Sequence, residues 1–285
     1  MGDIGVVVDP AVTSVDPTSL PAAESINVLV TGFGPFKDNK VNASHLIATS
    51  LPPEITVPPK KPTTGVPVPR IIHIHVHTTP ISVSYSFVRT QLPSILDSFK
   101  REHGKRPDLI IHMGIAPTRK YYSVETRAYR DNYRITDIDG KLGFDDGEKI
   151  WKAKGLPSVL CPLPKETQGI ALDKAAPPSS IEKEEQQHGY SPKIIVPYPP
   201  NEHFRQVWKS YAPAETDIRI SEDAGRYLCE FIFYSSLALA LEEGQDQSVL
   251  FFHVPSATDD AALELGNKVA VALIKSMMTC WIDEA

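Results

Sequence analysis

Short apolar runs alternate with longer amphipathic stretches along this chain. Ile26-Asn27-Val28-Leu29-Val30-Thr31-Gly32 is a β-branched run closed by glycine, the pattern of a buried strand. Asn42 is a helix N-cap by type, and helical spacing follows it to about residue 51. Prolines crowd residues 52–70, which predicts a loop. A strand is expected over 71–77, a helix over 83–102 despite Pro93, and a strand over 108–114. Residues 120–148 are polar and aromatic and predict hairpin and loop. The pattern then resumes with a strand over 217–221, a helix over 223–243, a strand over 248–255 and a helix over 259–282. Strands alternating with helices define an α/β layered fold with a largely parallel sheet. Such sheets gather sites at the carboxyl ends of their strands. Gly32-Phe33-Gly34, Gly114, Ser221-Glu222-Asp223 and His253 all fall at such ends.

Composition refines this outline. A chain of 285 residues that is 41% apolar can bury a core without metal or disulfide staples. Its 26 prolines are close to twice the usual share and concentrate in 52–70 and 150–215. The second stretch also carries the charged run Ile181-Glu182-Lys183-Glu184-Glu185-Gln186-Gln187. It reads as a partly disordered insertion into a single domain over 26–285. Residues 1–25 are small, acidic and proline-punctuated, and read as a flexible extension. A net charge of −6 argues against nucleic acid or an anionic membrane held by bulk charge. Three cysteines, Cys161, Cys229 and Cys280, with no C-x-x-C pair, suggest neither a disulfide framework nor structural zinc. They suit a reducing compartment. With no secretory signal and no apolar run near 18 residues, a cytosolic location is expected.

Cys229 leads the candidate chemistry. It sits at a strand-to-helix junction, Ser221-Glu222-Asp223-Ala224-Gly225-Arg226-Tyr227-Leu228-Cys229, where unpaired N–H groups favour a thiolate. The plain alternative is a small apolar residue in a buried helix. His253 closes the most apolar strand, Val249-Leu250-Phe251-Phe252-His253, placed to act as a general base or to sit hydrogen-bonded in the core. A Cys and a His on consecutive elements of one sheet are more specific together than singly. Glu125 would complete a triad with them, although spacing alone does not choose it over Asp223 or Asp131. The loop Thr31-Gly32-Phe33-Gly34-Pro35-Phe36 offers close backbone approach and two aromatic walls. It is not a dinucleotide fingerprint, because the third glycine is missing and Pro35 intrudes. The rival is His73, His75 and His77, alternate residues that would share one strand face and could hold zinc in a metallohydrolase.

Three blocks also carry a resemblance. Val28–Phe36 followed by Val41-Asn42-Ala43-Ser44, the segment from Ser221 to Cys229 with Phe231 and Tyr234, and Phe252-His253-Val254-Pro255 are similar, in that order, to motifs of pyroglutamyl peptidase I. This is the C15 family of cysteine peptidases, and the second block is closest to its animal and fungal members. The resemblance implies a three-layer α/β/α fold with a mixed, largely parallel sheet. It implies Cys229 as nucleophile, His253 as base and Glu125 as orienting acid. Phe33 and Phe36 would flank a pyroglutamyl ring, Asn42 would support their loop, and Tyr227 and Leu228 would line the pocket. The implied reaction releases an N-terminal pyroglutamyl residue from peptides without a cofactor. The chain departs from the compact members in its 150–215 stretch and its N-terminal extension. Ile115 stands where bacterial members have Gln, and Pro117-Thr118-Arg119-Lys120 differs from their Gly-rich loop. Neither Arg130 nor Arg134 matches the arginine those members carry downstream of the acid. A non-catalytic member of the same fold, binding a protein partner through 150–215, is the other reading.

Overall fold

The computed structural model describes residues 25–57, 70–163 and 200–282. A seven-stranded mixed sheet forms its centre, built around β1 (Ser25–Gly32). β1 is flanked in parallel by β3 (Arg70–Val76) and β4 (Leu109–Ile115), and β9 (Val249–Val254) continues the parallel run beyond β4. One edge is closed by the antiparallel β2 (Glu54–Val57). On the other side β5 (Tyr122–Glu125) runs antiparallel to β9, and β8 (Ile218–Ser221) pairs in parallel with β5. A separate two-stranded ribbon pairs β6 (Ala128–Tyr129) with β7 (Val159–Leu160).

Helices cover both faces, which is why the central strands are apolar on both sides. Val28, Val30, Ile111 and Phe252 pack towards α1 (Ala43–Thr49), α4 (Glu202–Tyr211) and α6 (Asp260–Met277). Leu29, Ile110 and Phe251 pack towards α2 (Tyr85–His103), α3 (Lys149–Ala153) and α5 (Leu228–Glu242). Asn42, Ser84, Asn201 and Asp259 each cap a helix by accepting a hydrogen bond from a first-turn N–H, as their residue types favour. α3 and α5 lack such a cap: neither Glu148 nor Tyr227, at their N-caps, supplies a side-chain bond. α5 is almost free of charge because it is buried between the sheet and α2.

Several expectations are corrected. The ends of the 150–215 stretch are folded. α3 and β7 occupy its start, and α4 seats Phe204 and Trp208, both fully buried, against α6. The Trp208 Nε1–H donates to the Val269 carbonyl at 3.2 Å. The rest of that stretch, 164–199, lies outside the described residues, as do residues 1–24 of the extension expected over 1–25, whose last residue, Ser25, begins β1. Strand β2 falls within the expected 52–70 loop. The 120–148 stretch contributes an internal strand, β5, in place of a hairpin. The helix expected from 223 begins at Leu228.

Candidate active site

The carboxyl ends of β1, β4 and β9 open into a cavity of about 330 Å³. Phe33, Phe36, Ile115, Arg119, Tyr227, Cys229 and His253 are among its lining residues. Gly114, at the tip of β4, pairs with His253 of β9. A Cβ on Gly114 would lie 2.7 Å from the Phe251 ring and 2.9 Å from Cys229 Sγ. The missing side chain is therefore the space the thiol occupies.

The antiparallel pairing of β5 with β9 delivers the acid. Ser123 faces His253 and Glu125 faces Phe251, so Glu125 and His253 are diagonal neighbours on one sheet face. His253 Nδ1 is 2.7 Å from Glu125 Oε1. An ionised carboxylate only accepts, so Nδ1 carries the proton and Nε2 is left as the ring's basic nitrogen. Burial pushes the Glu125 carboxyl up. Hydrogen bonds from His253, Ser221 and Arg119, with the His253 charge, outweigh that and hold it below its ordinary value. Asp131 is instead engaged by Arg130 and Lys152, and Asp223 by the Gly225 N–H and Arg226. The structure thus settles which acid meets the histidine.

The nucleophile candidate arrives on a tight turn. Gly225 at φ +76° takes the left-handed conformation that glycine adopts without strain. Asp223 accepts from the Gly225 N–H at 2.9 Å and from Arg226 at 2.8 Å, and Arg226 reaches on to the buried Glu230 at 2.6 Å. Cys229 follows as the second residue of α5, half-buried, with its own N–H close to the sulfur. Burial and the Glu125 charge push the thiol up to about 12, while Arg119 draws it down. The free thiol is protonated near neutrality and needs a base to ionise it. Burial likewise pushes the Glu230 carboxyl up to about 7, against the pull of Arg226.

The remaining candidates frame the cavity. Asn42 Nδ2 donates to the Gly34 carbonyl at 2.9 Å, and its Oδ1 accepts from the Ser44 N–H and hydroxyl. This bracing fixes the loop that carries Phe33 and Phe36. Phe36 and Tyr227 stand 6.2 Å apart, and the Tyr227 hydroxyl donates to the Thr136 carbonyl. Leu228 is fully buried beneath them.

The three histidines do not act as a group. His75 is 2.9 Å from Asn27 Oδ1 and packs on Phe99 and His103 of α2, and His73 lies near Glu54. His77 follows the end of β3 and neighbours His45 of α1, on the opposite side of the sheet. Among the described residues no three His, Cys, Asp or Glu side chains gather as a metal-ligating group. Arg130 pairs with Asp131 and Arg134 is exposed, so neither reaches the cavity.

Arg119 is the residue that sequence reasoning missed. Its Nη1 donates to Ser123 Oγ and to Glu125 Oε1, each at 2.8 Å, and lies 3.4 Å from His253 Nδ1. Its Nη2 donates to the Asp223 carbonyl at 3.0 Å. The available signal was its place in the loop after β4, since loops at that end of the sheet are where sites gather.

A thiol at a helix N-terminus and a carboxylate-paired imidazole lining one cavity, on an α/β/α frame, form the arrangement of a thiol-dependent hydrolase. Known proteins narrow the class. No family model matches the chain. It is 24% identical over 246 residues to the pyrrolidone-carboxylate peptidase of Pyrococcus furiosus, covering 85% of this chain and 86% of that protein. It is 24% identical over 251 residues to pyroglutamyl-peptidase 1 of Mus musculus, covering 88% and 89%. Its fold matches the solved pyrrolidone carboxyl peptidase of Thermococcus litoralis with a TM-score of 0.56 at 20% identity, over 91% of this chain and 96% of that one. The chain is thus similar to archaeal pyrrolidone-carboxylate peptidases and mammalian pyroglutamyl peptidases at nearly equal identity.

Proposed function

We propose that this protein hydrolyses the N-terminal pyroglutamyl residue from peptides, with Cys229 as nucleophile, His253 as base and Glu125 as the acid that orients His253. The observation that carries the reading is the 2.7 Å contact of Glu125 with His253 in a cavity that also exposes Cys229. His253 Nε2 takes the thiol proton as sulfur attacks the pyroglutamyl carbonyl carbon. The carbonyl electron pair moves to oxygen. The uncapped first-turn N–H groups of α5, including that of Cys229, are suited to receive the oxyanion. Collapse of the tetrahedral intermediate breaks the C–N bond, and the imidazolium protonates the leaving amine. Water, activated by the same imidazole, then hydrolyses the thioester and frees pyroglutamate and the thiol.

Substrate size follows from the walls. A cavity of about 330 Å³ between Phe33, Phe36 and Tyr227 suits a flat five-membered lactam more than an extended peptide. A pyroglutamyl residue has no α-ammonium, and no carboxylate among the lining residues except Asp223 is present to receive one. A pyroglutamyl chloromethyl ketone tests this reading. Covalent labelling confined to Cys229 by peptide mass mapping, with free pyroglutamate protecting, is the expected result. Labelling of Cys161 instead, or no protection, would overturn it.

A peptidase with these residues acts in the compartment the cysteine usage suggests, and a cytosolic location is part of the proposal. Among the described residues no helix is long and apolar enough to cross a membrane.

A further inference from the structure

Arg119 joins the two halves of the site, the acid and base on β5 and β9 and the turn that leads into Cys229. One nitrogen binds Ser123 and Glu125 on β5, beside His253 of β9. The other holds the main-chain carbonyl of Asp223, and the Asp223 side chain in turn fixes the Gly225 N–H and Arg226. That turn leads directly into Cys229. The Arg119 side chain is only about a fifth exposed and Glu125 is fully buried, so solvent screens their contact weakly. The planar fork of an arginine can serve partners in two directions at once, whereas a lysine presents a single point charge.

We propose that Arg119 is the positioning residue of this site: one guanidinium fixes the acid behind His253 and the turn that delivers Cys229, holding base and nucleophile in a single frame. This rests on the reading of Cys229 and His253 given above. The charged and titratable groups around the guanidinium are Glu125 on β5, His253 on β9, Asp223 on the turn, Cys229 on α5, and Tyr121, whose ring lies 5.8 Å away and also carries Arg219 of β8. Removing the cation leaves the Glu125 charge to act on His253 and Cys229 unopposed. The thiol, which Arg119 draws down and Glu125 pushes up, is then harder to ionise.

The test uses the full-length protein with Arg119→Gln and Arg119→Lys. Two pH profiles are read for each: kcat/KM on a pyroglutamyl amide, and the rate of Cys229 alkylation by iodoacetamide. For Arg119→Gln the acid limb of kcat/KM is expected to move up by roughly one pH unit. Alkylation at fixed pH is expected to slow by about tenfold. For Arg119→Lys the limbs stay in place, but kcat falls by roughly 10-fold to 100-fold because a point charge cannot hold both arms. Unmoved limbs and unchanged alkylation in folded Arg119→Gln would overturn the charge role. Full kcat in Arg119→Lys would overturn the bridge, and that test stands if Arg119→Gln does not fold. If the wild type fails to turn over the amide, the peptidase reading fails, while the alkylation profiles still decide the part played by Arg119.

Discussion

Gly114→Ala places one methyl group where the structure has no room for it. The new carbon would sit 2.7 Å from the Phe251 ring and 2.9 Å from Cys229 Sγ, against an ordinary contact of 3.4 Å or more. The shortfall is about 0.7 Å on the ring and 0.5 Å on the sulfur, by subtraction from 3.4 Å. Phe251 is fully buried between the sheet and α5 and has no free direction. The cavity side is open, so the thiol and the first turn of α5 yield first. Overpacking of this kind costs about 1–3 kcal/mol. In a domain of this size that lowers Tm by roughly 2–10 °C. Displacing a nucleophile by a fraction of an ångström to 1 Å costs up to about 10²-fold in rate. The assay pairs a thermal melt with kcat on a pyroglutamyl amide, both below the variant's melting range. The expected result is an activity loss much larger than the stability loss explains. A folded Gly114→Ala with wild-type kcat would refute the placement of Cys229 against Gly114.

Other predictions follow from the same contacts. Glu125→Gln removes the charge that orients His253, so kcat should drop on the order of 10²–10⁴-fold with KM little changed in steady-state assays. The Glu125 carboxyl is held below its ordinary value, so the stability it contributes is present above the ordinary carboxylate range and is lost as pH falls through the lowered value. Urea titrations should therefore show wild type losing its advantage over Glu125→Gln on acidification. Glu230 has the opposite sign. With its folded value near 7, its ionisation opposes folding once pH exceeds the unfolded value and does so fully above about 7. Wild-type stability should thus decline relative to Glu230→Gln between pH 5 and 8, and parallel curves would contradict the burial of that charge. Trp208→Ala should cost about 3–5 kcal/mol in denaturant unfolding, since α4 is part of the core. A near-neutral result would return residues 200–215 to the periphery.

The central strands and the two main buried helices were legible because their signal is local. Val28, Val30, Ile111 and Phe252 are apolar whatever surrounds them, and a run closed by glycine marks its own end. Cys229 and His253 were legible because each lies at the boundary of such an element. Glu125 was not separable from Asp131 or Asp223 without the pairing of β5 against β9, a contact between residues 128 apart in the chain. Arg119 was hidden for the same reason, since its partners come from β5, β9 and the turn before α5. α4 was overlooked because its short stripe of Phe204, Val207, Trp208 and Tyr211 sits in a proline-rich neighbourhood whose composition dominated the reading. The histidine triplet misled because alternation continues only while the strand does, and β3 ends before His77.

The central claim is that Cys229 attacks a pyroglutamyl carbonyl. Its most direct test is release of a fluorogenic amine from its pyroglutamyl amide by wild type and by Cys229→Ser under identical conditions. Turnover by wild type that falls to background in a folded Cys229→Ser is the predicted result. Equal turnover by the two proteins, or none by folded wild type, would contradict it.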